Sequence, residues 1–186
     1  IYESIISFPK QIESAWKEIA NIEIPKNCPL AKNVIICGMG GSALGGRIVD
    51  SFLVEKNRVP VEIVTDFELP EYVDKNTLVI ISSYSGNTEE TLKAYEKAKY
   101  KKAMIFCITA GGVLKELIEK VEVNGYLIDP KYNPSGQPRM GLGYSITSIL
   151  ALLTKCGFVE TDKNISEVTN FLKGLKEEIA KNLAKN

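Results

Sequence analysis

Short apolar runs rich in β-branched residues alternate with helical patterns along this chain, and no other feature constrains its fold as strongly. Continuous apolar runs this short are typical of strands that are buried on both faces of a parallel sheet. The alternation therefore predicts an α/β protein with three layers, in which helices flank both faces of an open parallel sheet. The five predicted strands lie at residues 34–37, 61–64, 78–81, 103–108 and 126–128.

Helical spacing of apolar residues fills most of the intervals between these strands. Residues 2–21 place Ile5, Ile12 and Ile19 on one side of a helix, which predicts an amphipathic helix at the start of the chain. Residues 129–141 contain three prolines and are predicted to be irregular. The remaining predicted helices end near residue 53, cover 88–99, follow Gly112 and cover 142–156.

The length of the chain sets its domain organisation. A chain of 186 residues is long enough to bury one substantial hydrophobic core. We expect residues 1–160 to form a single domain that includes the opening helix. Residues 161–186 carry Phe171, Leu175 and Ile179 at helical spacing among lysines and glutamates. They are predicted to form a C-terminal amphipathic helix or a linker.

The charge balance excludes some classes of partner. Lysine and arginine total 23 and aspartate and glutamate total 23, so the formal net charge is zero. A protein without net charge has no broad field that attracts a polyanion, so no nucleic acid partner is expected. No apolar stretch of about 18 residues predicts a membrane span, and we expect a soluble, cytoplasmic protein without a membrane partner. Any bound anion is expected to be held by backbone amides and helix ends.

The cysteines and the lack of histidine limit the metal, redox and proton-transfer sites that the chain can form. The four cysteines, Cys28, Cys37, Cys107 and Cys156, lack the short paired spacings of zinc sites and redox motifs. We therefore predict no metal site and expect buried, reduced thiols. The chain contains no histidine, which is the side chain that most often transfers protons at neutral pH. This absence limits the catalysis that the chain can perform alone.

The first candidate site is the glycine loop, residues 38–42 with the sequence Gly-Met-Gly-Gly-Ser, which directly follows the first predicted strand. Glycines at Gly40 and Gly41 let the backbone turn sharply and approach a ligand, while the following helix offers free amides. An anion is expected to bind there, close to Ser42. A tight turn without any ligand explains this cluster equally well.

The second candidate site is the hydroxyl loop, residues 83–88 with the sequence Ser-Tyr-Ser-Gly-Asn-Thr, which follows the third predicted strand. A helix N-cap needs one hydroxyl, so three hydroxyls favour donation to phosphate oxygens over capping alone. Neither loop contains the lysine of a nucleotide-binding loop, which favours a monophosphate ligand. Glu89 and Glu90 follow in the first helical turn, where acidic residues ordinarily complement the helix dipole instead of acting as a base.

These residues resemble a known family. The two loops, with Thr-Glu-Glu-Thr at residues 88–91, resemble the SIS (sugar isomerase) signature of the bifunctional phosphoglucose/phosphomannose isomerases, and the similarity covers most of the chain. The resemblance implies a SIS-type, flavodoxin-like sheet. It implies that Ser83, Ser85 and Thr88 hold the phosphate of a sugar phosphate, and that Gly40, Gly41 and Ser42 approach the sugar. It also implies that Arg139 stabilises an enediol-like intermediate, although a surface arginine without a role is the simpler alternative.

The resemblance further implies a function for the parent protein. It would interconvert glucose 6-phosphate, and mannose 6-phosphate, with fructose 6-phosphate, without a metal or an organic cofactor. The family places its glutamate base in a second SIS domain beyond this chain and uses a histidine to open the ring. We therefore expect this chain to be the binding half, inactive alone and part of a homodimer. The alternative is a stand-alone SIS module that senses a phosphosugar or mediates dimerisation without catalysis.

Overall fold

The computed structural model describes residues 1–54 and 58–159 and contains one five-stranded parallel sheet. The strand order is β2-β1-β3-β4-β5, and all four neighbouring pairs are parallel. This is the order of flavodoxin-like sheets, so the predicted α/β class and topology are confirmed. The strands are β1 (Asn33–Gly38), β2 (Val61–Val64), β3 (Thr77–Ser82), β4 (Met104–Thr109) and β5 (Asn124–Leu127).

Helices form a layer on each face of the sheet, because side chains alternate between the faces along each strand. The α-helices are α1 (Tyr2–Ile6), α2 (Phe8–Ala20), α3 (Gly40–Leu53), α4 (Glu89–Tyr100), α5 (Gly112–Glu119) and α6 (Leu142–Lys155). In β1, Val34 and Ile36 belong to a core cluster shared with α2, α3 and α6, whereas Ile35 and Cys37 belong to a cluster shared with α4 and α5. Short 3₁₀ helices are η1 (Cys28–Leu30), η2 (Pro130–Tyr132) and η3 (Pro138–Gly141).

The predicted opening helix is divided in two. It breaks at Ser7, after which α2 begins with Pro9 in its first turn. Proline lacks the N–H that a continuous helix would use there, and it is well tolerated in a first turn. Apolar periodicity across residues 2–21 did not reveal this break.

Helix α6 packs against α2 and α3 and is buried on nearly all sides. Every residue from Gly143 to Leu153 is buried. Glycines allow the close approach of its neighbours: a Cβ built on Gly45 of α3 would lie 2.1 Å from Ser145 Oγ. A Cβ built on Gly143 would lie 2.8 Å from the side chain of Gln11 in α2. The close packing of α2 and α3 against α6 thus depends on residues without side chains.

The expectation of four reduced thiols is wrong for one pair. Cys28 in η1 and Cys156 at the end of α6 form a disulfide, with their Cα atoms 5.6 Å apart. These residues are separated by 128 positions in the sequence, so only the fold brings them together and local spacing carried no signal. Cys37 and Cys107 are free and buried. Burial raises the pKa of both thiols to about 12, so they remain protonated at neutral pH.

Two predictions fall partly or wholly outside the residues that the structure describes. The predicted C-terminal helix or linker at residues 161–186 lies outside them, and so does the end of the domain predicted for residues 1–160. Within residues 1–54 and 58–159, no helix has the length and the apolar character needed to cross a bilayer.

Candidate functional site

The two predicted loops meet at one edge of the sheet. Gly38, the last residue of β1, is the register partner of Ser82, the last residue of β3. The chain leaves β1 toward α3 on one face of the sheet and leaves β3 toward α4 on the other face. Diverging connections of this kind open a crevice at the carboxyl ends of two adjacent strands, which is where ligands bind in such sheets.

Three hydroxyls of the hydroxyl loop form one cluster in this crevice. The Ser83 and Thr88 oxygens are 2.8 Å apart, those of Ser85 and Thr88 are 3.4 Å apart, and those of Ser83 and Ser85 are 3.5 Å apart. Thr88 is the N-cap residue of α4, yet its side chain makes no capping hydrogen bond. Capping alone therefore does not account for these hydroxyls, which lie beside the first amides of α4.

The hydroxyl loop is held in shape by the turn after β4. Gly86 has φ +71°, and a Cβ built on it would lie 1.7 Å from the carbonyl oxygen of Gly111. The Ala110 amide donates to the Tyr84 carbonyl at 3.0 Å. The Asn87 side chain accepts from the Val113 amide in the first turn of α5 at 2.9 Å. The loop is therefore preformed, and its hydroxyls do not depend on a ligand for their arrangement.

The glycine loop leads directly into α3. Gly40 has φ +51°, and a Cβ built on it would meet no atom within 4 Å, so the space beside it is open. Met39 occupies the N-cap position of α3 without a side-chain capping bond. The Ser42 hydroxyl accepts a hydrogen bond from the Tyr84 amide at 3.1 Å, which joins the glycine loop to the hydroxyl loop. Ser42 thus has a structural contact in addition to its predicted position near a ligand.

Arg139 lies over the start of α3. It belongs to η3, and a Cβ built on Gly41 would be 3.3 Å from both Arg139 Cγ and the Arg139 backbone nitrogen. A larger residue at position 41 would press against this segment, so Gly41 permits the approach. Although Arg139 is separated from the two loops by at least 50 positions in the sequence, the fold brings all the predicted site residues to the same edge.

Sequence reasoning missed the polar residues that support Arg139. Asn133 is almost fully buried, and its side-chain amide donates to the Tyr84 hydroxyl at 2.8 Å and to the Gln137 carbonyl at 2.9 Å. Burial raises the pKa of Tyr84, so this phenol is neutral at pH 7. Gln11 in α2 is also fully buried. The available signal was its position, because Gln11 interrupts the apolar stripe that contains Ile12.

The two glutamates at the start of α4 differ in exposure, and Glu90 is half-buried. Glu89 is exposed and pairs with Lys93 one turn later, with 3.1 Å between the charged atoms. An exposed (i, i+4) pair and a first-turn acid both stabilise a helix end. This placement agrees with the interpretation that Glu89 serves the helix instead of acting as a base.

The arrangement suits a single phosphoryl group attached to a neutral body. Hydroxyls and helix-start amides donate hydrogen bonds to an anion without a high local charge. Arg139 is exposed and adds one positive charge beside the glycine loop. The fold and this strand-end site define an open α/β domain whose crevice suits a phosphorylated ligand.

Comparison with known proteins agrees with this class. The family model described as "SIS domain" matches residues 30–114. Residues 30–114 of the chain therefore resemble a SIS domain. Among its relatives is the bifunctional phosphoglucose/phosphomannose isomerase of Caldicellulosiruptor bescii, which is 45% identical over all of this chain and 56% of that protein. The protein of the same name from Aquifex aeolicus is 34% identical over 97% of this chain and 54% of its own length. The chain thus spans about half the length of these relatives.

Solved structures show the same fold at low sequence identity. The C-terminal domain of glucosamine-fructose-6-phosphate aminotransferase from Francisella tularensis superposes with a TM-score of 0.61 at 18% identity, covering 92% of this chain and 52% of that one. The NanR protein of Vibrio vulnificus, complexed with ManNAc-6P, has a TM-score of 0.55 at 15% identity and covers 94% of this chain and 67% of its own. These similarities establish the fold alone.

Proposed function

We propose that this chain is the sugar-phosphate-binding half of an aldose-ketose isomerase that interconverts glucose 6-phosphate, and also mannose 6-phosphate, with fructose 6-phosphate. The support from sequence is the similarity to isomerases of that name along the whole chain. The chain matches about half of each relative, so the parent protein is proposed to contain a second SIS domain. The described domain supplies binding, and the remainder supplies proton transfer.

The hydroxyl loop is proposed to hold the phosphate. Ser83, Ser85 and Thr88 would each donate to a phosphate oxygen, together with the first amides of α4. The observation that carries this proposal is the Thr88 side chain, which occupies an N-cap position and bonds to Ser83 instead of capping the helix. A phosphate would occupy the place that a capping oxygen leaves open.

The glycine loop and Arg139 are proposed to bind the sugar end. The open space beside Gly40 admits a ligand close to the backbone, and Ser42 lies in the first turn of α3. Isomerisation removes the proton from C2 of the aldose and leaves negative charge on the oxygen at C1. A guanidinium at this point stabilises that charge as it develops. The proton of the C2 hydroxyl then moves to the oxygen at C1, and the abstracted proton returns to C1, which leaves the carbonyl at C2 of the ketose.

The base and the ring-opening acid are proposed to come from outside this chain. The chain has no histidine, and its first-turn glutamate Glu89 is engaged on the helix surface. The reaction consists of proton transfers only, so the proposal requires no metal and no organic cofactor. The isolated chain is expected to bind the sugar phosphates weakly and to turn over none of them.

A homodimer in the cytoplasm is proposed as the working form. Leu44 and Ile48 lie one turn apart on α3 and are 41% and 37% exposed, which leaves apolar surface near the site for a second copy to cover. The molar mass of the protein in solution tests the dimer.

Calorimetric titration with fructose 6-phosphate tests the binding proposal. Ser85 is exposed, so Ser85→Ala should leave the fold intact and remove one hydrogen bond to a charged group. Such a bond contributes roughly 1.5–3 kcal/mol, so the dissociation constant should rise about tenfold or more. Ser51→Ala is the matched control, because Ser51 is an exposed serine at the opposite end of α3. Equal affinities for the wild type and both variants would refute the proposal.

A further inference from the structure

The segment that carries Arg139 is hydrogen-bonded to the N-terminal helices α1 and α2. Gln11 of α2 is fully buried, and its side chain reaches residues 121 to 132 positions later in the sequence. Ser4 of α1 is also fully buried, and its hydroxyl accepts from the Ser135 amide at 3.1 Å. The arginine segment, residues 129–141, therefore depends on the first helices for its position.

The hydrogen bonds of Gln11 fall on both sides of Arg139. Its Nε2 donates to the Met140 carbonyl at 2.8 Å and to the Tyr132 carbonyl at 2.9 Å, with a longer contact of 3.3 Å to the Ser4 carbonyl. Its Oε1 accepts from the Gly143 amide at 3.1 Å, at the start of α6. Both N–H groups and the oxygen of the amide are thus used, and one partner is the residue directly after Arg139.

The site of Gln11 leaves little freedom for movement. Burying an amide is costly unless its polar atoms are hydrogen-bonded, so the side chain is held in the one orientation that satisfies them. A Cβ on Gly143 would lie 2.8 Å from both Cβ and Oε1 of Gln11, so α6 closes over the amide. On the opposite side of the segment, Asn133 binds Tyr84 of the hydroxyl loop.

We propose that Gln11 is a positioning residue for Arg139: it holds the arginine backbone beside Gly41, from where the guanidinium can reach the negative oxygen of the reaction intermediate. This inference rests on the proposed isomerase function. Gln11 does not touch the substrate; it acts by holding the backbone at Met140. A small displacement of a positioned charge lowers the affinity for an intermediate-like anion, whereas phosphate binding in the hydroxyl loop is unaffected.

Two probes separate these effects on the chain as it stands. The first is inorganic phosphate, which occupies the hydroxyl loop alone. The second is 5-phosphoarabinonate, an open-chain sugar acid phosphate whose carboxylate lies where negative charge develops in the reaction. Gln11→Met keeps the approximate shape of the side chain and removes its hydrogen bonds. This variant should lower the affinity for 5-phosphoarabinonate about tenfold and change the affinity for phosphate less than about twofold.

A double-mutant cycle shows whether Gln11 acts through Arg139. In an Arg139→Ala background, Gln11→Met should cause no further loss of affinity for the carboxylate probe. Ile19→Val is the matched control, since Ile19 is a buried residue of the same helix and its truncation lowers stability without removing a contact to the arginine segment. If Gln11→Met does not fold, Ser4→Ala removes a single bond to the same segment and should cause a smaller loss, about threefold, that is again selective for the carboxylate probe.

The outcomes are distinct. Two results would overturn the role of Gln11 and leave the proposed function in place. One is an equal loss of affinity for both probes in Gln11→Met, and the other is a loss of affinity for the carboxylate probe that persists in the Arg139→Ala background. Unchanged affinity in both Gln11→Met and Ser4→Ala would have the same meaning. A wild-type chain that binds neither fructose 6-phosphate nor the carboxylate probe would overturn the proposed function and this inference together.

Discussion

Gly86→Ala should destabilise the protein far more than the same change at Gly136. Both glycines have positive φ angles, +71° and +65°, so the backbone strain of an alanine is similar at the two positions. Their surroundings differ. A Cβ on Gly136 would meet nothing within 4 Å, whereas a Cβ on Gly86 would lie 1.7 Å from the Gly111 carbonyl oxygen. The pair therefore isolates the contact between the hydroxyl loop and the turn after β4.

The expected magnitude follows from this contact. The left-handed conformation costs alanine about 1 kcal/mol at either position. At Gly86 the Gly111 carbonyl must also move by more than 1 Å to reach an ordinary contact distance, because real Cβ contacts are essentially never under 3.0 Å. That movement disrupts the Ala110–Tyr84 backbone bond and the bond from the Gly111 amide to Thr109. Each contributes about 1 kcal/mol, so the two variants should differ by about 2 kcal/mol.

Urea unfolding measures this difference directly. The free energy of unfolding of wild type, Gly86→Ala and Gly136→Ala is obtained from the midpoint and slope of each curve. The error of such extrapolations is about 0.5 kcal/mol. A smaller difference between the two variants would show that the hydroxyl loop and the turn after β4 are not in tight contact. The preformed hydroxyl loop would then be refuted as well.

Two further predictions concern the cysteines. Reduction of the Cys28–Cys156 disulfide should lower the free energy of unfolding by about 2–5 kcal/mol, since the bond closes a very long loop in the unfolded chain; unchanged urea midpoints with and without reductant would contradict this. Burial raises the pKa of Cys37 and Cys107 from 9.0 to about 12, so the unfolded chain releases these protons first and stability should fall as pH rises from 9 toward 12. At pH 10 the loss is about 1 kcal/mol per thiol, and a Cys37→Ala, Cys107→Ala variant should show a weaker pH dependence; an identical dependence would contradict the assignment.

The layered sheet was predictable because its signal is local. Each strand is a continuous apolar run that ends at a polar or glycine-rich loop, as at Gly38 and Ser83, and the alternation with helices fixes a parallel arrangement. The convergence of the glycine and hydroxyl loops followed from the same reasoning, since carboxyl ends of parallel strands share one edge. Fold class and loop placement therefore needed no knowledge of distant contacts.

Other features depend on contacts between remote parts of the chain. The disulfide joins Cys28 and Cys156, and the amide of Gln11 bonds residues more than 120 positions away. No spacing rule within a window of ten or twenty residues detects such pairs. The division of the first helix at Ser7 was missed for a different reason, because apolar periodicity reports which side is buried and not where the backbone turns.

Gln11 and the arginine segment that it holds are made at different times during synthesis. This difference sets the order in which the parts of the site can form. Gln11 is made 121 residues before Tyr132, whose carbonyl it binds. At about 5–20 residues per second, the amide of Gln11 lacks its partners in the arginine segment for on the order of ten seconds. The two strand-end loops are complete well before then. The positive charge is thus the last component to arrive in a pocket whose uncharged part has already been made.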